Sequence, residues 1–258
     1  YFQTFMQLSS KLNTPTTRDK IKSPTIYCLS GRFYAINFIL LAISALVFMW
    51  WSRHESLDIA ISQLWFDPQT MSFPLQHNRW LDLINHRLFK DVIIAGAVLM
   101  LLRGVQKRDG RRVLVALLFG MGPLVVGILK AHSAHSCPWD LAMFGGKAAS
   151  FVLLDPTPVN SGPGQCFPGG HASSGFALMA LFFLWWPERP RRAVLALLFG
   201  IAVGLLMGYG QVMRGAHFFS HNLWAGWWVW LSQVLIFAGV SFWVDKMRKS
   251  KRDGSAQP

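Results

Sequence analysis

Three short segments hold the residues whose types and spacing could do chemistry: KAHSAHSCPWD (Lys130–Asp140), FPGGHASSGF (Phe167–Phe176) and GYGQVMRGAHFFSHNLWAG (Gly208–Gly226). In the second, Pro168 and two glycines break the chain, and a helix is expected to begin near His171. The backbone N–H groups of Gly169, Gly170 and His171 would then face an anion at a helix start where no side chain blocks approach. His171 at that place can hold a proton for a leaving group, or it can simply cap the helix. In the third, Gln211 and Arg214 stand three apart and share a helical face, and a guanidinium suits bidentate phosphate binding. His217 and His221 stand four apart; a neutral imidazole is a nucleophile if a second group holds its other nitrogen, and His221 is placed to be that group. Lys130 closes an apolar run, where its ammonium can reach outwards; alone, that position reads as an interfacial anchor.

Taken singly, His217 and His221 could equally be zinc ligands, with His132, His135 or a carboxylate completing the shell, or interfacial residues without chemistry. Taken together, the three segments fit phosphoryl transfer better. A phosphate needs cations and N–H donors around its oxygens, with a nucleophile on one side of phosphorus and an acid on the other.

What must position these segments is a membrane-embedded helix bundle. The 258 residues are 52% hydrophobic, with 12 Trp and 20 Phe, and only 14% charged, too little charge for the surface of a soluble domain of this length. Apolar runs of spanning length lie at Phe33–Trp51, Val113–Ala131, Ala172–Trp186, Ala193–Met213 and Leu223–Trp243. A sixth, Leu83–Leu102, is amphipathic at first (His86, Arg87, Lys90) and apolar after Asp91. The expectation is an all-α integral membrane protein of six transmembrane helices. The net charge of +13 sits mainly in the N-terminal tail, the second and fourth connections and the C-terminal tail, which alternate as cytoplasmic segments do. The charge is therefore a topology signal, and it excludes nucleic acid as the partner. Both termini are expected in the cytoplasm, with the three chemical segments on the outer, periplasmic face. All eight histidines fall on that side.

Cys137 and Cys166 lie in one outer connection, where an oxidising compartment favours a bridge over two unpaired buried thiols; Cys28 is cytoplasmic and free. The organisation expected is a basic tail at 1–32, of which 1–5 read as a tag remnant, a six-helix domain at 33–243 and a basic tail at 244–258. Between the first two runs, Ser52–Asp82 contains the amphipathic LDIAISQLWF, which either lies on the outer surface and shapes lipid entry or packs as a lid.

On these residues the chain resembles the phosphatidic acid phosphatase type 2 superfamily. That family carries K-x6-R-P at the end of the third helix, P-S-G-H at the start of the fourth and S-R-x5-H-x3-D between the fifth and sixth. Here Lys130, Pro138, Pro168, Gly170, His171 and His217 stand in register. Cys137 takes the place of the first arginine, Gly169 of the serine, Gly210 and Gln211 of Ser-Arg, and His221 of the aspartate.

The resemblance implies that His217 forms a phosphohistidine and that His171 protonates the leaving group and later activates water. It implies that Lys130 and the Gly169–Gly170 backbone hold phosphate oxygens. Arg214, one turn beyond Gln211, is then the substitute for the lost arginine, and Cys137 is free to bridge Cys166. Asp140 and Asp155 are the carboxylates placed to supply the charge lost at His221. The expected activity is removal of a phosphate from a lipid in a bacterial inner membrane, with no cofactor and no metal. Candidate substrates are undecaprenyl diphosphate, phosphatidylglycerophosphate, phosphatidic acid and a lipid A phosphate. The alternatives are a phosphotransferase using the same histidine and a non-catalytic lipid-binding or transport protein. Oligomeric state is not legible in the sequence.

Overall fold

The computed structural model describes Ile26 and residues 28–254; the side chains of Ile84, Asn85 and His86 and those beyond Ser250 are not described. The tag-like residues 1–5, the tail cations Lys11, Arg18, Lys20 and Lys22 and the last four residues lie outside the described part.

Among the described residues the chain is helical, with no strands beyond two isolated bridges. The helices are α1 (Gly31–Arg53), α2 (Ser56–Gln63), α3 (Phe89–Gln106), α4 (Gly110–Ala131), α5 (Gly170–Trp185), α6 (Pro190–Met213) and α7 (Phe219–Gly254). A π-helical turn, Asp82–Leu88, leads into α3, and α5 tightens to 3₁₀ geometry at Ala177–Leu181.

Helices thus stand where all six apolar runs are expected. Four of them, α1, α4, α6 and α7 as far as Ser250, are long and apolar enough to cross a membrane; α5 is shorter. In α3 the eighteen residues include Lys90, Asp91 and Arg103. Leu40, Leu46, Val92, Leu99, Leu124, Leu195 and Phe199 point outwards from these helices. Apolar side chains on every outer surface are a liability in water and the natural coat in lipid. Several apolar helices with this coat mark a multi-pass membrane protein.

Local chemistry sets the ends. The Ser30 hydroxyl accepts from the Phe33 N–H at the start of α1, and the Asp109 carboxylate accepts from the Arg112 N–H at the start of α4. Pro190 opens α6, where a missing N–H costs nothing. Near the same end of the bundle, the buried Arg111 guanidinium donates to both Glu188 oxygens at 3.0 and 2.7 Å and ties α4 to the turn before α6.

Two features position the site. First, α1 is held to α7 by three tryptophans spaced three apart. Trp224 Nε1 donates to Ser52 Oγ at 3.0 Å, Trp227 Nε1 to the Leu41 carbonyl at 2.8 Å and Trp230 Nε1 to Asn37 Oδ1 at 3.0 Å. Second, α6 carries glycines four apart on one face, Gly200, Gly204 and Gly208. A Cβ on Gly200 would meet the Met179 backbone, one on Gly204 the Phe176 ring and one on Gly208 the Asn222 side chain, all within 2.7 Å. This bare stripe lets α5 and α7 lie against α6, as small-residue faces do in lipid.

Over one end of the bundle, Phe66, Phe73, Leu141, Phe144 and Ala148 form a small core that fastens the long connections down. Most of the LDIAISQLWF segment lies in α2, which packs through its polar side. Asp58, 5% exposed, accepts from the Ser220 N–H at 3.0 Å and from Trp51 Nε1 at 3.3 Å, and so caps the start of α7. Leu57 and Leu64 stay exposed.

Replacing Gly204 by Val drives a branched side chain into the Phe176 ring. The expected cost is at least about 2 kcal/mol, read as a lowered melting temperature in detergent. Gly120, with open space around it, should accept Ala with an unchanged or raised melting temperature.

Candidate active site

The residues that come together do so at three helix ends. His171 is the second residue of α5, His217 lies in the turn between α6 and α7, and their ring centroids are 5.9 Å apart. Lys130 is the next-to-last residue of α4 and lies along the first turn of α5. A Cβ added to Gly170 would sit 3.3 Å from Lys130 Cδ and 3.6 Å from Nζ, so a side chain there would crowd the ammonium. A cavity of about 210 Å³ opens here, lined by Lys90, Lys130, Gly170, His171, Ser174 and Met207. Residues 130, 170 and 171 from two separate segments therefore face one space, with His217 buried beside them.

Beneath this cavity lies a knot around Cys166. Cys137 and Cys166 are joined by a disulfide, the bridge expected of two cysteines in one connection. The Cys166 sulfur is 3.3 Å from His217 Nδ1, and the Cys166 carbonyl is 2.9 Å from His221 Nδ1. The His221 carbonyl in turn accepts from the Gly169 N–H at 2.8 Å. His221 therefore anchors the loop through Cys166 and Gly169, and the neighbour of His217 Nδ1 is sulfur. The rings of His217 and His221 are 6.0 Å apart and edge-on.

His217 is 1% exposed. Burial lowers its pKa well below the ordinary histidine value, and the neighbouring His221, Lys130 and His171 push the same way, against a hydrogen bond to the Cys166 backbone. The imidazole is thus kept neutral. A neutral ring that uses Nε2 as its lone-pair nitrogen carries its proton on Nδ1, aimed at the weak acceptor sulfur.

Other sequence-chosen residues fall elsewhere. Gly169 gives its N–H to His221, not to the cavity. Gln211 is fully buried in α6, its Nε2 without a partner among the described residues. Arg214 turns to a different cavity, lined by His77, Arg79, Trp80, Asp82, Leu83 and Arg87; it donates from Nε to the Gln76 carbonyl and pairs with Asp82 at 3.5 Å. Asp140 accepts from Trp139 Nε1, and Asp155 pairs with Arg53 at the surface. His132 is exposed with Nδ1 2.9 Å from the Ile128 carbonyl, while His135 stacks on Phe151 and burial lowers its pKa.

As for zinc, the grouping of possible ligand atoms found among the described residues is Cys137, Cys166 and His217. Its two sulfurs are spent on the disulfide and offer no thiolate.

Lys90, Ser174 and Asp58 were not singled out by sequence. Lys90 sits at the amphipathic start of its run, a visible signal of a cation with a polar neighbour. Asp58 was masked by a segment that reads as merely amphipathic. Burial raises its carboxyl pKa, opposed by the donors at the start of α7.

The chain matches the family model described as the PAP2 superfamily over residues 110–245, more than half its length. It belongs to the PAP2 superfamily. The match runs from α4 through α7 and so takes in all three chemical segments. PAP2 proteins are generally phosphatases, commonly acting on lipids. Neither the curated proteins nor the solved structures yield a match.

Two outcomes are expected from this geometry. Because the folded His217 pKa is depressed, its deprotonated form persists as pH falls through 6.5, so the acid limb of kcat/KM against pH should lie well below that value. Replacing both Cys137 and Cys166 with alanine opens a loop of 29 residues and should lower unfolding stability by about 3 kcal/mol in a denaturant titration.

Proposed function

We propose that this PAP2 protein is a lipid phosphatase of a bacterial inner membrane, working at the periplasmic face through a phosphohistidine on His217. The observation that carries the reading is the meeting of His171, His217 and Lys130 from three separate segments, with a cavity beside His171 and Lys130. Six crossings, with both termini in the cytoplasm, agree with the helix order and with the basic connections at Arg103–Arg112 and Arg189–Arg192.

In this mechanism His217 Nε2 attacks phosphorus in line, and the bond from phosphorus to the lipid oxygen breaks. His171 gives its proton to that oxygen, so the lipid leaves as an alcohol, or as a lipid monophosphate if the substrate is a diphosphate. Lys130 and the amides at the start of α5 balance the charge on the non-bridging oxygens. Water then attacks the phosphohistidine as His171 takes a proton back, and phosphate is released. The side chains supply the cations, so the reaction needs no metal or cofactor. The neutral disulfide sulfur at Nδ1 orients the ring but stabilises its cation less than a carboxylate would, which favours slow formation of the intermediate.

The test is phosphate release from undecaprenyl diphosphate, phosphatidylglycerophosphate, phosphatidic acid and lipid A phosphate by the purified protein in detergent with EDTA. His217→Ala should lose at least about 10³-fold in kcat, and His171→Ala about 10²–10⁴-fold. Release that survives in His217→Ala, or that EDTA abolishes, sinks the mechanism. Transfer of the phosphoryl group to an added acceptor lipid in place of water would make the protein a phosphotransferase.

A further inference from the structure

The cavity beside His171 contains two ammonium-bearing side chains and no carboxylate in its lining. Lys130 arrives from the end of α4, and Lys90 from the first turn of α3, forty residues earlier in the chain. Neither forms an ion pair among the described residues. The acids near Lys90 in sequence are engaged or directed elsewhere: Asp82 pairs with Arg87 and Arg214, and Asp91 is exposed and outside the lining. Ser174, one turn into α5 from Gly170, adds a hydroxyl to the same space.

Two cations that line one open cavity can both attract an anion held between them. The positions from which arginine charge is missing, Cys137 and Gln211, cannot supply it. Cys137 is consumed by the disulfide, and Gln211 is buried inside α6. Arg214 is committed to Asp82 and Gln76 in another cavity. The lining itself therefore points to the second cation.

We propose that Lys90 binds the phosphate together with Lys130, both lining the same cavity. The inference rests on the phosphatase reading only in taking phosphate as the anion. Lys90 is a compact, strongly hydrated cation on a long stem, suited to point-charge neutralisation of a phosphate whose orientation the other groups set. A bare interfacial role, in which Lys90 merely anchors α3 at the membrane surface, makes a different prediction, since any exposed lysine would then do as much.

The test is equilibrium binding of inorganic phosphate to the full-length protein in detergent, which needs no turnover. Lys90→Gln and Lys90→Met should weaken phosphate binding about tenfold or more, while Lys90→Arg should stay within about threefold of wild type. Lys107→Gln, an exposed lysine in the connection between α3 and α4, should bind as wild type. Each variant is first required to elute and melt as the wild type does. Unchanged phosphate affinity in Lys90→Gln and Lys90→Met overturns the assignment, as does a wild-type protein that binds no phosphate. Lipid hydrolysis measured on the same samples separates the two proposals. Turnover that survives in His217→Ala removes the phosphohistidine and leaves the Lys90 result standing, whereas loss of turnover there with phosphate affinity untouched by Lys90 leaves the phosphohistidine and removes Lys90.

Discussion

The site depends on one residue that performs no chemistry of its own, Cys166. Its sulfur lies against His217, its carbonyl against His221, and its disulfide reaches back to Cys137 just before the 3₁₀ turn at Pro138. His221 then passes the constraint to the chain entering α5 by accepting the Gly169 N–H. Three segments far apart in sequence are thereby fixed to one another through a few short contacts. In a buried place each contact matters more than its area suggests, because a polar group that loses its partner there finds no water to replace it.

That knot is useful only because the helices bring its parts within reach. The glycine stripe of α6 lets α5 and α7 pack closely on either side of it, and α5 and α7 carry His171 and His221. Asp58 caps the start of α7 from α2, so the connection that follows the first helix also sets where the turn containing His217 ends. A carboxylate absent at position 221 thus has a counterpart nearby, but Asp58 serves the helix end and not the histidine. The result is a neutral, sulfur-backed imidazole within a cationic surround.

The partition of charge between two cavities follows the same logic. Arginines 79, 87 and 214 gather with Asp82 in one cavity, while two lysines without a carboxylate gather in another beside the histidines. Guanidinium groups satisfied by Asp82 and a backbone carbonyl are structural in character. The lysines lining the other cavity form no ion pair among the described residues, which is why the proposal for a ligand rests on them.

Much of this was legible in the chain itself. Length and apolarity give the helix positions, since a lipid-spanning segment must satisfy its own backbone and present apolar side chains to the lipid. The resemblance of the three segments to the family motifs groups Lys130, His171 and His217 as candidate partners, and the place of Cys137 and Cys166 in one connection favours their bridge. Sequence by itself also identifies which residues can titrate and in what order their segments follow. It does not determine which nitrogen faces which neighbour. His221 is four residues from His217, yet its ring turns to the Cys166 carbonyl; Arg214 lies three from His217 and turns to Asp82; Lys90, 127 residues away, belongs to the lining beside it. Periodicity says which residues share a face of one helix, a local property of 3.6 residues per turn. Which other helix that face meets, and at what depth, is decided by the packing of all of them at once.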